Sequence, residues 1–82
     1  MTFTQASSPD RIKLQSVSLL HLKAAQHLEL ASRSHKAAAQ LHVWGEHKAA
    51  DFQAVMAREH TAKASEHVNE AIKKSGPTGS LQ

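Results

Sequence analysis

Histidine is the residue of this chain with the richest chemistry. The 82 residues include seven histidines and no cysteine. Imidazole binds transition metals and titrates near neutral pH, so the histidines predict either a metal site or a response to acid. A third interpretation is that they are polar fillers at the edge of a helical seam, bonded to water, Glu or Ser. Without cysteine, disulfides, thiolate metal ligands and Cys nucleophiles are excluded.

The spacing of the histidines limits the metal sites that they can build. His21, His35 and His42 recur at multiples of seven residues, and His60 and His67 are seven apart. Seven residues of helix rise about 10 Å, which is too far for two imidazoles to share one ion. No His-x-x-x-His or Glu-x-x-His pair occurs in the sequence. Any metal site must therefore be built between helices.

One set of residues is the best candidate for such a site. If two antiparallel helices pair residues whose numbers sum to about 91, His27 comes near His60 and His67. Glu70 lies three residues after His67 and shares its face of the helix. We therefore predict His27, His60, His67 and Glu70 as ligands of Zn, Cu or Ni. Alternatively, protonation of clustered histidines below about pH 6 would loosen the helices by charge repulsion.

Amino-acid composition and the residues that start or stop helices predict the elements that position these residues. Alanine, leucine, lysine, glutamate and glutamine dominate, which favours an all-α fold. Ser8-Pro9-Asp10 is typical of a helix start, Gly45 of a left-handed helix end, and Gly76-Pro77 of a stop. The prediction is a disordered N-terminus 1–7, helix 8–43, turn 44–46, helix 46–75 and a disordered tail 76–82. Such a short turn folds the helices into an antiparallel hairpin.

Small residues recur every seven positions on both helices. This spacing keeps one face of a helix toward a partner helix, and alanine allows close approach. We interpret the stripe as the seam of the hairpin, called the alanine seam below. It consists of Val17, Ala24, Ala31 and Ala38 on the first helix and Ala50, Ala57, Ala64 and Ala71 on the second.

Each helix also has a second apolar face. Ile12, Leu19, Leu30, Ala37 and Trp44 share one sector of the first helix. A hairpin covers one face of each helix, so a second face predicts a further neighbour. The simplest solution is a homodimer that forms a four-helix bundle. The predicted interface, called the outer patch below, is Leu19, Leu30, Trp44, Phe52, Val55 and Met56.

Several function classes are disfavoured by the sequence. No nucleophile–base–acid set and no glycine-rich phosphate loop occurs, so we predict a protein that is not an enzyme and has no cofactor beyond a possible transition metal. The net charge is +3, and the basic residues are interspersed with acidic ones. This distribution disfavours nucleic-acid binding. No apolar run is long enough for a membrane, and no signal-peptide pattern is present, so a cytoplasmic location is expected.

The predicted function is a non-enzymatic module for oligomerisation or protein interaction, with homodimerisation expected. The alternative is a protein that binds or buffers transition metals through histidines between the helices. The His- and Ala-rich composition over most of the chain resembles small helical hairpins of bacterial genomes. That resemblance implies a helical hairpin and a bacterial origin, and it implies no activity.

Overall fold

Two long helices form the protein. The computed structural model describes the backbone of residues 9–80 and the side chains of residues 12–75. Helix α1 spans Pro9–Val43 and helix α2 spans His47–Ser80, with no strand within the described range. Lys74 donates a hydrogen bond of 2.9 Å to the hydroxyl of Ser16. This bond joins the end of α2 to the start of α1, so the helices are antiparallel. The prediction of an all-α hairpin is confirmed.

The turn between the helices is built around Gly45. Its φ of 83° lies in the left-handed region that favours glycine, as the sequence predicts. The Glu46 N–H donates to the Leu41 carbonyl at 2.8 Å, and the Gly45 N–H donates to the His42 carbonyl at 3.1 Å. This is a Schellman motif, which satisfies carbonyls at the end of α1. The Glu46 carbonyl then accepts the Ala50 N–H at 3.0 Å and starts α2.

Three of the four helix ends lie within one residue of the predicted positions. Helix α1 begins at Pro9, and the predicted cap at Ser8 and the predicted disorder of residues 1–7 lie outside the described residues. Helix α2 continues through Gly76-Pro77 to Ser80, so the predicted end at residue 75 and the tail from residue 76 are corrected. Pro77 has no N–H and removes one helical hydrogen bond, but the bonds on either side can persist.

The alanine seam forms the core. Its four alanines on α2 and the three on α1 are all at most 8% exposed, and Val17 is half-buried. The predicted seam is therefore confirmed. A second row with the same spacing lies beside it and is largely polar: Leu20, His27, Ser34 and Leu41 on α1, and Gln53, His60 and His67 on α2, all buried or half-buried. Polar residues at such positions specify register at a cost in stability.

Most of the large apolar side chains lie outside this core. No large side chain among the described residues is fully buried, whereas Leu19 is 52% exposed and Phe52 63%. The molecule measures 61 × 29 × 15 Å, so it is a slab about one helix thick. Neither broad face of the slab is therefore covered by a further layer of helices.

Candidate functional site: a histidine layer between the helices

Three histidines lie close together in the polar row beside the alanine seam. His27 of α1 lies between His60 and His67, which are two turns apart on α2. Nδ1 of His27 is 3.2 Å from Nδ1 of His60. The ring centroids are 5.4 Å apart for His27–His60 and 5.5 Å for His27–His67, both in stacked orientation. We call these three residues the histidine layer. The sequence-based pairing that brings them together is confirmed.

The contact between His27 and His60 constrains their protons. Two ring nitrogens form a hydrogen bond only if one carries a proton and the other offers a lone pair. The pair therefore contains at least one neutral imidazole, whichever tautomer each ring adopts. It can accommodate one extra proton as an imidazolium–imidazole pair. A second proton would place two N–H groups and two positive charges at 3.2 Å.

The surroundings of His27 favour its neutral form. Burial between the helices lowers the pKa of His27, and the nearby charges of His60, His67 and Lys63 lower it further. Each of these neighbours is basic, so protonation of His27 gains no compensating attraction from them. The ring is half-buried, which is consistent with a modest desolvation cost.

The predicted metal set is only partly brought together. His27, His60 and His67 are adjacent, whereas Glu70 is exposed. Within the described residues, no group of three or more His, Asp or Glu side chains is arranged to hold a metal ion. The metal interpretation of His27, His60, His67 and Glu70 therefore stays a prediction.

A second histidine pair lies at the turn. Nδ1 of His42 is 2.8 Å from Nδ1 of His47, and the ring centroids are 5.1 Å apart. Both rings are exposed, as the sequence predicts for residues that flank a turn. We call them the turn pair. His21 and His35 are also exposed. The three half-buried histidines are therefore those of the histidine layer, in the polar row beside the alanine seam.

Sequence reasoning missed that the histidine layer belongs to a continuous row. Leu20, His27, Ser34 and Leu41 recur every seven residues and all lie on the inner side of α1. The seven-residue spacing is present in the sequence, but two of the four side chains are polar, so hydrophobicity does not predict that they are buried. Ser34 is 8% exposed, because the close approach at the neighbouring alanines encloses small polar side chains as well.

The outer patch is the second candidate site. Of its residues, Trp44 is 66% exposed, Leu30 40% and Val55 38%, while Met56 is half-buried. A shallow groove on the outside of α1, lined by Leu14, Gln15, Ser18, Leu19 and Leu22, adds to the uncovered apolar surface. Both helices thus present large apolar side chains to solvent.

Comparison with known proteins does not place the chain in a family. No protein-family model matches the chain, and neither the curated proteins nor the solved structures contain a significant match. The compositional resemblance to bacterial hairpins stays a prediction. Neither helix, within the part that the structure describes, is long and apolar enough to cross a membrane.

Proposed function

We propose that this protein is a non-enzymatic self-association module, in which two hairpins pack through their outer patches into a four-helix bundle. The observation that carries the proposal is the distribution of apolar side chains. Among the residues whose side chains the structure describes, the buried hydrophobic residues are seven alanines and Leu20, whereas eleven large hydrophobic residues are exposed. A folded monomer would expose the side chains that contribute most to hydrophobic stabilisation.

The alanine seam alone offers little stabilisation. Burying one methyl or methylene group contributes about 0.8 kcal/mol, and each alanine side chain provides a single methyl group. A chain of this length is already marginal, because small domains bury a low fraction of their surface. Covering Leu30 and Phe52 would bury two large side chains that the hairpin leaves exposed. Association therefore supplies the missing core.

A second copy fits this surface better than an unrelated partner. The helices have 35 and 34 residues, so two slabs of equal length can cover each other from end to end. A broad face of 61 by 29 Å is larger than the roughly 800 Å² that each partner buries in a standard interface. Twofold dimers are also the commonest oligomers, and they use the same patch on both subunits.

The stability of a self-associating hairpin must depend on its concentration. Association that involves only the folded chain stabilises it by mass action. About a hundredfold dilution should remove up to about 2.7 kcal/mol per dimer and lower Tm by about 5 to 10 °C. Thermal unfolding followed by far-UV circular dichroism over this range of concentration is the measurement. A Tm that is independent of concentration would refute self-association.

Transition-metal binding is a second candidate, supported by the contact between His27 and His60. Their Nδ1 atoms are 3.2 Å apart. Two nitrogens on a tetrahedral zinc ion lie about 3.3 Å apart when each Zn–N distance is about 2.0 Å. We propose that such an ion would link α1 to α2 through His27 and His60, with water completing its coordination.

A zinc titration separates this candidate from the first. Zinc should raise the Tm of the wild-type protein and of H42Q/H47Q, because the turn pair links residues that are already joined by the turn. H60Q should lose the rise, since one imidazole holds zinc weakly. An equal rise in H60Q, or no binding at micromolar zinc by calorimetry, would exclude a site at the histidine layer.

A further inference from the structure

We propose that the turn pair is a binding site for copper(II), a divalent ion that prefers square-planar or tetragonal coordination. Nδ1 of His42 and Nδ1 of His47 lie 2.8 Å apart at the exposed end of the hairpin. His42 belongs to the last turn of α1, and His47 is the first residue of α2. The site is separate from the histidine layer, and it depends neither on zinc binding there nor on association of two hairpins.

The turn brings these two rings together. Residues five apart on one continuous helix point in directions that differ by about 140°, so their side chains would not meet. The left-handed Gly45 and the bond from the Glu46 N–H to the Leu41 carbonyl change the direction of the chain between His42 and His47. Their ring centroids are consequently 5.1 Å apart. Because the backbone holds both imidazoles close together before an ion binds, chelation has a low ordering cost.

The distance between the two nitrogens indicates which coordination geometry fits. Two nitrogens at right angles on one ion lie about 2.8 Å apart when each metal–nitrogen distance is about 2.0 Å, against about 3.3 Å for a tetrahedral ion. The 2.8 Å between His42 and His47 is the right-angle value, whereas the 3.2 Å between His27 and His60 is close to the tetrahedral one. Right angles between neighbouring ligands are typical of copper(II) and nickel(II), and copper(II) binds more tightly to a given set of ligands.

Without a metal ion, the contact between His42 and His47 is a hydrogen bond, in which the Nδ1–H of one ring donates to Nδ1 of the other. Coordination through both Nδ1 atoms requires that each neutral ring carries its proton on Nε2. Both side chains are exposed, so water can accept a hydrogen bond from each Nε2–H, and the two rings keep the same number of protons. Small rotations of these exposed rings direct both lone pairs toward one ion.

Solvent supplies the other ligands of the ion. Within the described residues, no group of three or more His, Asp or Glu side chains is arranged to hold a metal ion, so water completes the coordination around two imidazoles. The nearby charges oppose one another, since Glu46 precedes His47 and Lys48 follows it. The end of α1 favours a cation and the start of α2 disfavours one. The affinity of the site therefore comes from the two imidazoles.

Trp44 is a built-in reporter of this site. It is the only tryptophan of a chain that has no tyrosine, and it lies two residues after His42 and three before His47. Bound copper(II) quenches the fluorescence of a nearby indole. His60 of the histidine layer lies 13 residues beyond His47 on α2, which is about 20 Å along the helix. Quenching of Trp44 therefore reports on copper at the turn far more than on copper at the layer.

The test is a titration of the protein with copper(II) chloride at neutral pH, followed by Trp44 fluorescence. Wild-type protein and H60Q should show saturable quenching. H42Q and H47Q should each require at least about a hundredfold more copper, because two linked ligands bind more tightly than one by about this factor. Far-UV circular dichroism checks that these exposed substitutions keep the helices. Equal quenching in H42Q or H47Q, or quenching of the wild-type protein that does not saturate, would overturn the proposal.

His35→Gln is the matched control for the two turn variants. His35 is also an exposed histidine of α1 and lies seven residues before His42, which places it about 10 Å further from the turn. Its substitution should leave the quenching curve unchanged. A loss of quenching in H35Q as large as that in H42Q would show that copper binds histidines of the chain without preference for the turn pair.

Electron paramagnetic resonance tests the coordination itself. H60Q with less than one equivalent of copper(II) should give the spectrum of a tetragonal ion coupled to two imidazole nitrogens, and the substitution keeps the histidine layer from contributing through its closest pair of rings. A spectrum with a single coupled imidazole nitrogen, or one of a tetrahedrally distorted ion, would contradict the site.

Discussion

Replacing Ala57 by leucine is expected to destabilise the hairpin. Ala57 is fully buried in the alanine seam, where its single methyl group sets how closely the helices approach. A leucine adds three carbons to a space that has no room for them, and such overpacking costs about 1 to 3 kcal/mol. In a small helical domain this is a large share of the total free energy of unfolding. Chemical denaturation monitored by circular dichroism measures it.

Ala54→Leu is the matched control for Ala57→Leu. Ala54 lies three residues earlier on α2 and is exposed, so the same substitution there should change the free energy of unfolding by less than about 0.5 kcal/mol. Helix propensity is equal in the two variants, because both exchange alanine for leucine. Equal stability of the two variants would show that Ala57 does not lie in a close helix contact.

The double substitution L30E/F52E is expected to convert the assembled protein into a monomer. Leu30 and Phe52 are exposed residues of the outer patch on opposite helices, and a twofold dimer would bury each of them twice. A carboxylate without a partner in an interface costs several kcal/mol. The dimer dissociation constant should therefore rise at least about a hundredfold. Sedimentation velocity at matched concentrations measures the change.

Ile72→Glu provides the comparison for this interface variant. Ile72 is 56% exposed but lies outside the outer patch, directly after the seam residue Ala71. Its replacement adds the same negative charge to α2 and should leave the mass unchanged. If I72E dissociates as strongly as L30E/F52E, the effect comes from charge or helix stability. If L30E/F52E keeps the mass of the wild-type protein, the outer patch is not the interface.

The hairpin was predictable because its determinants are local. Gly45 is the one residue between the helices that adopts a left-handed conformation without strain, and its φ of 83° is the predicted one. Ala57 and Ala64 recur with the seven-residue spacing that two helices in contact require, and both are buried. Once the turn is known, the pairing of His27 with His60 follows by counting residues away from it.

Other features depend on a balance between competing interactions, which the sequence pattern does not show. Pro77 was expected to end α2, but the loss of one hydrogen bond does not outweigh the bonds around it, and α2 reaches Ser80. The polar row that contains Ser34 was missed, because burial there follows from close helix approach and not from side-chain hydrophobicity. Adjacency of His27, His60 and His67 could be predicted, whereas metal-binding geometry requires ring orientations that spacing alone does not define.

In the proposed dimer, a small alanine core is completed by large apolar side chains that a second chain would cover. Sedimentation equilibrium of the wild-type protein at neutral pH tests this most directly, because it gives the mass in solution without assuming a shape. The predicted mass is twice the 8.9 kDa of one chain. A fully helical, cooperatively folded species of 8.9 kDa at every concentration would contradict the account.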